Sequence, residues 1–229
     1  TGSCDKTAKI WDSASGACKM TILHDMTVTC ALPAPNNCII TCSCDKTAKI
    51  SDIATGKCQT MLRGHSSSVA AAVFSTDGSL ALTTAICDAK VWDLATGECK
   101  QTFPGELEEE QSCRISGRNN IWRRNNHAVF SADGLSVLVV NTLCPQIWDI
   151  ATGECKLTLD GHAHSLTGLP MLTSSAMFSC DGSLILTSSE DKTAKIWDSA
   201  TGQCMLTLRG HSDVVNVATF FSDDVCMGT

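Results

Sequence analysis

The amino-acid sequence predicts an all-β protein with almost no helix. Short apolar or β-branched runs recur at intervals of roughly 8–12 residues, and Gly, Asp and Ser stand between them. Related stretches also return along the whole chain about 40–56 residues apart, and a recurring period of this order indicates repeated structural units. Each unit is long enough for several short strands, so the repeat sets the organisation of the chain.

The composition is typical of a folded chain and includes more acidic than basic residues. The 229 residues are 43% hydrophobic, and this length suits one large domain or two small ones. A formal net charge of −7 repels phosphate backbones and anionic lipid, which argues against general nucleic-acid binding. Because no apolar stretch approaches the ~18 residues of a spanning helix, we expect no membrane insertion.

Fifteen cysteines are spread along the chain, and a third of them share one slot of the repeat. Residues at equivalent repeat positions lie one structural unit apart, so these five cannot pair with one another, and no CxxC motif occurs. We therefore expect reduced, mostly buried thiols in a reducing compartment rather than disulfides or a metal site. The five are Cys18, Cys58, Cys99, Cys155 and Cys204.

Three landmarks define the repeat. A strand-like run ends in Trp-Asp or Ser-Asp at Trp11-Asp12, Ser51-Asp52, Trp92-Asp93, Trp148-Asp149 and Trp197-Asp198. A Gly-His pair stands at Gly64-His65, Gly161-His162 and Gly210-His211. The third landmark is an apolar strand, an Asp-Gly turn and a second strand, in FSTDGSLALT, FSADGLSVLV and FSCDGSLILT.

On these residues the sequence resembles the WD-repeat β-propellers over essentially its whole length. The resemblance implies a single β-propeller domain over residues 1–229, built from five four-stranded antiparallel blades around a central channel. One blade would be split between the N- and C-termini. The repeat units lie at roughly 212–229 plus 1–23, 24–63, 64–104, 105–160 and 161–211, and we number the blades in that order.

Two arrangements of the split blade stay open. The termini could meet and close a ring of five blades, or the chain could be a stretch of a larger propeller, as the initial Thr1 also suggests. Five blades lie within the range of 4–8 that propellers adopt. The join would fall inside a strand, however, which leaves both halves short of ladder hydrogen bonds.

The resemblance also implies a buried hydrogen-bond set of His, Ser or Thr, Asp and Trp inside each blade. A buried unpaired polar group costs about 1–3 kcal/mol, so such a set stabilises only when it is complete. We expect the second and fourth blades, which lack members, to be the mobile ones. The assigned residues are His162, Ser189, Asp191 and Trp197 in the fifth blade, His65, Asp88 and Trp92 in the third, His24, Ser43 and Asp45 in the second, Trp148 in the fourth, and His211, Asp5 and Trp11 in the split blade.

No catalytic or cofactor motif is present in the sequence. It contains no GxSxG elbow and no GxGxxG or GxxxxGK[ST] phosphate loop. The pair His162 and His164 lacks a nearby third ligand of the kind that zinc requires. We therefore predict a protein that is not an enzyme, with no cofactor, no metal and no small-molecule substrate.

One segment interrupts the repeat, and it holds the residues we assign to partner binding. PGELEEEQSCRISGRNNIWRRNNH replaces a short connection and is about 15 residues longer than its counterpart. Arg pairs bidentately and stacks, and Trp with Arg is enriched at interface hot spots. The assigned residues are Arg114, Arg118, Trp122, Arg123 and Arg124. The alternative is a solvated loop whose Glu residues pair with its own Arg residues.

These observations predict a non-enzymatic scaffold or adaptor that assembles other proteins through one face of a propeller. The alternative is a reader of an anionic ligand, a phosphopeptide or RNA, through the Arg-rich insertion. The repeat style resembles eukaryotic proteins of ciliary, centriolar and dynein-assembly type. We accordingly expect a cytoplasmic location, with cytoskeletal or ciliary association as a narrower expectation.

Overall fold

The computed structural model describes residues 1–85, 87–104, 127–140, 144–163 and 172–221. Within these ranges the chain forms strands and turns and no helix, so the all-β prediction is confirmed. The chain divides into two compact units, Thr1–Pro104 and Gly105–Thr229.

The first unit contains ten strands among its described residues, in three antiparallel sheets. Strands β1 and β2 form a two-stranded sheet, β3 to β6 form the second sheet, and β7 to β10 form the third. The strands are β1 (Thr7–Trp11), β2 (Cys18–Leu23), β3 (Val28–Ala34), β4 (Cys38–Ser43), β5 (Thr47–Asp52), β6 (Cys58–Arg63), β7 (Val69–Phe74), β8 (Leu80–Ala85), β9 (Asp88–Asp93) and β10 (Cys99–Pro104).

The second unit contributes eight strands from its described part, in two four-stranded antiparallel sheets. Strands β11 to β14 form the fourth sheet of the chain, and β15 to β18 form the fifth. The strands are β11 (His127–Phe130), β12 (Ser136–Val140), β13 (Gln146–Asp149), β14 (Cys155–Thr158), β15 (Thr173–Phe178), β16 (Leu184–Ser189), β17 (Ala194–Asp198) and β18 (Cys204–Leu208).

In every four-stranded sheet the strands lie side by side in chain order, as expected for WD-repeat blades. These sheets are the second to fifth blades, and the two-stranded sheet of β1 and β2 belongs to the first. Two predictions concern how the two units are connected: that the first blade is split between the termini, and that residues 1–229 form a single domain. Both stay predictions.

The same turn joins the third and fourth strands of each blade. The Asp that follows the Trp position accepts a backbone N–H from three residues further on, as Asp198 Oδ1 does from Thr201 at 2.7 Å. The register shifts beside the Trp position in all five sheets, and the repeated Cys lies opposite it, as Cys204 does opposite Trp197. The Trp-Asp landmark therefore marks a bulge followed by a tight turn.

Apolar side chains pack between neighbouring sheets within each unit. In the first unit, Ile40 and Leu62 of the second blade share a cluster with Ala72 and Trp92 of the third. In the second unit, Leu138 of the fourth blade shares a cluster with Ile185 and Trp197 of the fifth. Within each unit, neighbouring blades thus stabilise one another through their packed faces, as in other repeat architectures.

The expectation that most cysteines are buried is wrong. Of the thirteen described cysteines, only Cys38 and Cys42 are buried. The five that share the repeat slot are exposed, because each begins the last strand of its sheet, at an edge. Equivalence in the repeat was a correct observation, but it marked an edge position rather than a core position.

Candidate functional site

The polar set of the fifth blade is complete and buried. His162 Nδ1 lies 2.9 Å from Asp191 Oδ2, and His162 Nε2 lies 2.7 Å from Thr187 Oγ1. The indole Nε1–H of Trp197 donates to the same Thr187 oxygen at 2.9 Å. Strand β16 supplies Thr187 and β17 supplies Trp197, while the turn between them carries Asp191.

The hydroxyl that joins the histidine to the tryptophan is that of Thr187, which differs from the assignment of Ser189. Ser189 lies two residues further along β16, where its Oγ donates to the Leu172 carbonyl and accepts the backbone N–H of Asp191. Both side chains lie on one face of the strand because their spacing is two. Only the earlier position is level with the histidine ring, whereas Ser189 stabilises the turn.

The third blade repeats this arrangement with its own residues. His65 Nδ1 contacts Asp88, and His65 Nε2 lies 2.6 Å from Thr83 Oγ1. Trp92 Nε1–H donates to Thr83 at 2.7 Å. The turn between β8 and β9 is two residues shorter than in the fifth blade, yet it brings Asp88 to the histidine.

The second blade retains the histidine half of the set and lacks the indole. His24 Nδ1 lies 3.0 Å from Asp45 Oδ2, and His24 Nε2 lies 2.8 Å from Thr41 Oγ1. The Trp position holds Ser51, which is fully buried and whose Oγ has no hydrogen-bond partner. As in the fifth blade, the predicted serine, Ser43, instead binds the backbone, donating to the Met26 carbonyl.

The fourth and first blades depart further from the pattern. In the fourth blade, Val139 occupies the strand position that carries Thr in the second, third and fifth blades. The strand register identifies the position, since Val137 lies opposite Trp148 just as Ile185, two residues before Thr187, lies opposite Trp197. In the first, Asp5 accepts hydrogen bonds from Thr7, and Trp11 donates to Thr1 Oγ1. The predicted link from these residues to His211 would join the two units and stays a prediction, as does the mobility of the second and fourth blades.

Burial keeps the rings of His24 and His162 neutral. Burial is the largest cause that lowers the pKa of His24 and of His162 below the usual value, and it outweighs the hydrogen bond to the aspartate. Burial alone would raise the pKa of Asp45, but hydrogen bonds from Thr47 and His24 bring it down to about 2. A neutral ring that donates from Nδ1 to a carboxylate accepts the threonine hydroxyl at Nε2. The order of donation then runs from Trp through Thr to His and Asp.

This chemistry is that of a structural set. The Thr187 hydroxyl is already bound on both sides, since it accepts from the indole and donates to the imidazole, and His162, Thr187 and Trp197 are buried. In the described ranges, no three His, Cys, Asp or Glu side chains are grouped so as to hold a metal ion. No helix in the part of the chain described here has the length and apolar character to cross a membrane.

An exposed apolar pair lies at the turn end of the second blade, and the sequence assignment missed it. Leu23, the last residue of β2, and Met26, in the connection that leads into β3, are 67% and 51% exposed. The connection is fixed in place, because Asp25 N donates to Asp45 Oδ2 at 3.1 Å and Lys49 Nζ donates to the Leu23 carbonyl at 2.7 Å. At the Leu23 position three other units have Gly, a difference that could have indicated the pair.

The residues that the sequence assigns to partner binding lie outside the described residues. They are Arg114, Arg118, Trp122, Arg123 and Arg124, all within 105–126. Their role stays a prediction.

Comparison with known families gives one match. The family model for the WD domain, G-beta repeat, matches residues 16–52, 56–93 and 153–198, which together make up more than half of the chain. The first three strands of the fourth blade lie between the second and third of these ranges, in agreement with the loss of the Thr at Val139. A search of curated proteins gives no significant match.

Proposed function

Because the chain belongs to the WD-repeat family, we propose that it is a non-enzymatic scaffold or adaptor that brings other proteins together. WD repeats generally serve protein–protein interaction. The observation that carries the proposal is the saturation of the His–Thr–Asp set inside the blades. Residue types that act as a catalytic triad in other proteins here hold the strands together. The function therefore depends on residues at the surface.

The first docking surface is formed by Leu23, at the end of β2, and Met26, in the connection to β3. Isolated exposed apolar residues are ordinary on protein surfaces, but these two stand three residues apart on a segment held by two hydrogen bonds. A partner that covers them removes apolar area from water without first having to order the segment. The surface suits an apolar side chain or short apolar segment of another protein.

The second docking surface is the Arg- and Trp-containing insertion, residues 105–126. Four Arg and one Trp in one short segment match the composition of interface hot spots. An adaptor needs at least two surfaces that can be occupied independently, and these two belong to different parts of the sequence. A reducing, cytoplasmic setting is part of the proposal and is supported by the exposed free thiols of the repeat slot, such as Cys58 and Cys204.

The test is affinity capture from an extract of the source organism with three variants of the tagged full chain. One variant carries Leu23→Ser and Met26→Ser, and the second carries Ala at Arg114, Arg118, Arg123 and Arg124. The third, Leu135→Ser, is a matched control, because Leu135 is 63% exposed but lies in the Asp-Gly turn at the other end of its blade. All variants are first shown to melt at the wild-type temperature.

We expect each surface variant to lose a different set of captured proteins and the control to lose none. Retention of every wild-type partner by both surface variants would refute the proposed docking surfaces. If the Arg variant instead loses RNA or phosphopeptides whose binding falls steeply with added salt, the insertion reads anions and the scaffold proposal fails there.

A further inference from the structure

Cys30 and Cys42 face each other across the second blade. The two residues are directly opposite in the antiparallel pair of β3 and β4. Cys42 belongs to the core cluster between the second and third blades, and Cys30 packs against that same cluster. Their side chains therefore lie on one face of the sheet, with Cys42 fully buried and Cys30 partly exposed.

We propose that Cys30 and Cys42 form a reversible disulfide when the protein meets a peroxide. Directly opposite residues of antiparallel strands have Cα atoms about 4.5–5.5 Å apart, which lies inside the range that a disulfide spans. Their Cβ atoms are commonly about 4.5–5.5 Å apart, somewhat more than a relaxed disulfide prefers. The bond therefore draws the strands together and is readily reduced again.

The two thiols differ in the way that such a reaction requires. A hydrogen bond from the Cys42 thiol is the largest cause that lowers the pKa of Cys30, to about 7, and the backbone N–H of Ala72 adds to it. The same hydrogen bond, together with burial, raises the pKa of Cys42. Cys30 is thus the accessible thiolate that reacts first, and Cys42 is the protected thiol beside it.

The reaction balances with hydrogen peroxide as the oxidant. The Cys30 thiolate attacks one peroxide oxygen, the O–O bond breaks, and hydroxide leaves and takes up a proton as water. Cys30 is then a sulfenic acid. The Cys42 sulfur gives up its proton and attacks the Cys30 sulfur, and the sulfenic oxygen leaves as a second water. Two thiols are oxidised to one disulfide while one peroxide is reduced to two waters.

The test follows the thiols of one tryptic fragment of the full chain. Cleavage after Lys19 and Lys46 releases a single peptide that holds Cys30, Cys38, Cys42 and Cys44. The folded protein is treated with graded hydrogen peroxide, unfolded, blocked with N-ethylmaleimide and digested. Fragmentation of the peptide then shows which thiols escaped the block, and dithiothreitol treatment before the block shows whether they return.

We expect two of the four thiols, Cys30 and Cys42, to disappear together and to return with dithiothreitol. Cys38→Ser and Cys44→Ser are matched controls from the same peptide and should still lose the pair. The Cys30→Ser variant should lose none of its remaining thiols. The Cys42→Ser variant should form a sulfenic acid on Cys30, which dimedone traps. In the wild-type protein, a disulfide from Cys42 to Cys44 or Cys38, or equal loss of all four thiols, would overturn the proposal.

Discussion

The indole nitrogen of Trp197 and the imidazole of His162 share one hydroxyl, that of Thr187, at 2.9 and 2.7 Å. The hydroxyl accepts from one ring and donates to the other, so a single buried oxygen links β16, β17 and the connection that carries His162. Losing it leaves two buried ring nitrogens unsatisfied.

Thr187→Val should therefore lower the free energy of unfolding by about 1–3 kcal/mol, and Trp197→Phe should lower it by a similar amount. Because both changes remove the same hydrogen bond, the double variant should be less destabilised than the sum of the two. Urea unfolding of all four proteins measures this coupling. Additive losses would contradict a shared hydroxyl, and an unchanged midpoint in Trp197→Phe would contradict the indole bond itself.

Two buried serines of the second blade should respond in opposite directions. Ser51 Oγ has no hydrogen-bond partner, so Ser51→Ala removes an unsatisfied group and should raise the free energy of unfolding by up to about 1 kcal/mol. Ser43 Oγ binds two backbone groups, so Ser43→Ala should lower it by about 1 kcal/mol. Thermal unfolding of the two variants is the measurement, and destabilisation by Ser51→Ala would show that its hydroxyl is bound.

Stability should fall as pH drops below about 6.5. Burial lowers the folded-state pKa of His24 and His162 from 6.5, so below that pH the unfolded chain binds protons that the folded chain does not. The contribution of the two neutral rings to the free energy of unfolding is complete above pH 6.5. As the pH falls below that value, each ring loses up to about 1.4 kcal/mol of it per pH unit. Carboxyl groups such as Asp45 add losses only below about pH 4.

Urea unfolding between pH 8 and pH 5 measures this dependence. His162→Gln should flatten the slope between pH 6.5 and 5, because it removes one of the two rings whose folded-state pKa is lowered. A free energy of unfolding that is constant from pH 8 to pH 5 would contradict the neutral, buried histidines.

Two glycines in equivalent turns test the packing of the second and third blades. Gly16 and Gly97 have φ of 70° and 75°, so Ala at either position costs about 1–2 kcal/mol in the backbone alone. A Cβ at Gly97 would lie 2.6 Å from Thr60 Cγ2, whereas one at Gly16 meets open space. In thermal unfolding, Gly97→Ala should therefore lower the free energy of unfolding by about 1 kcal/mol or more beyond the loss caused by Gly16→Ala. Equal effects would contradict the close approach of the turn to β6.

Much of the blade architecture could be predicted, because its signals are local. The Asp-Gly turns, the Trp-Asp turns and the alternating runs each depend on a few adjacent residues, and the structure has strands at these places. The choice of Ser189 over Thr187 was wrong, although the sequence held the correction: the third blade has Ala85 at the Ser189 position and Thr83 at the Thr187 position. Only a position with a hydroxyl in all three blades can supply the shared bond.

Burial was harder to predict than strand position. The repeated cysteines follow a turn and begin an edge strand, and the sequence pattern alone does not distinguish an edge from a centre. The exposure of Leu23 and Met26 likewise depends on how the connection folds over Asp45, a contact between residues about 20 positions apart. The opposition of Cys30 and Cys42 depends on the register of two strands, which includes a shift between Val28 and Cys30.

The central claim is that the buried polar set is structural and that partner binding belongs to the surface. The most direct test measures partner capture by Thr187→Val and by the Leu23→Ser, Met26→Ser variant, well below the melting temperature of each. We predict that the Thr187 variant melts lower but captures every wild-type partner, and that the surface variant melts as wild type but loses a partner. Loss of partners only in the Thr187 variant would contradict the claim.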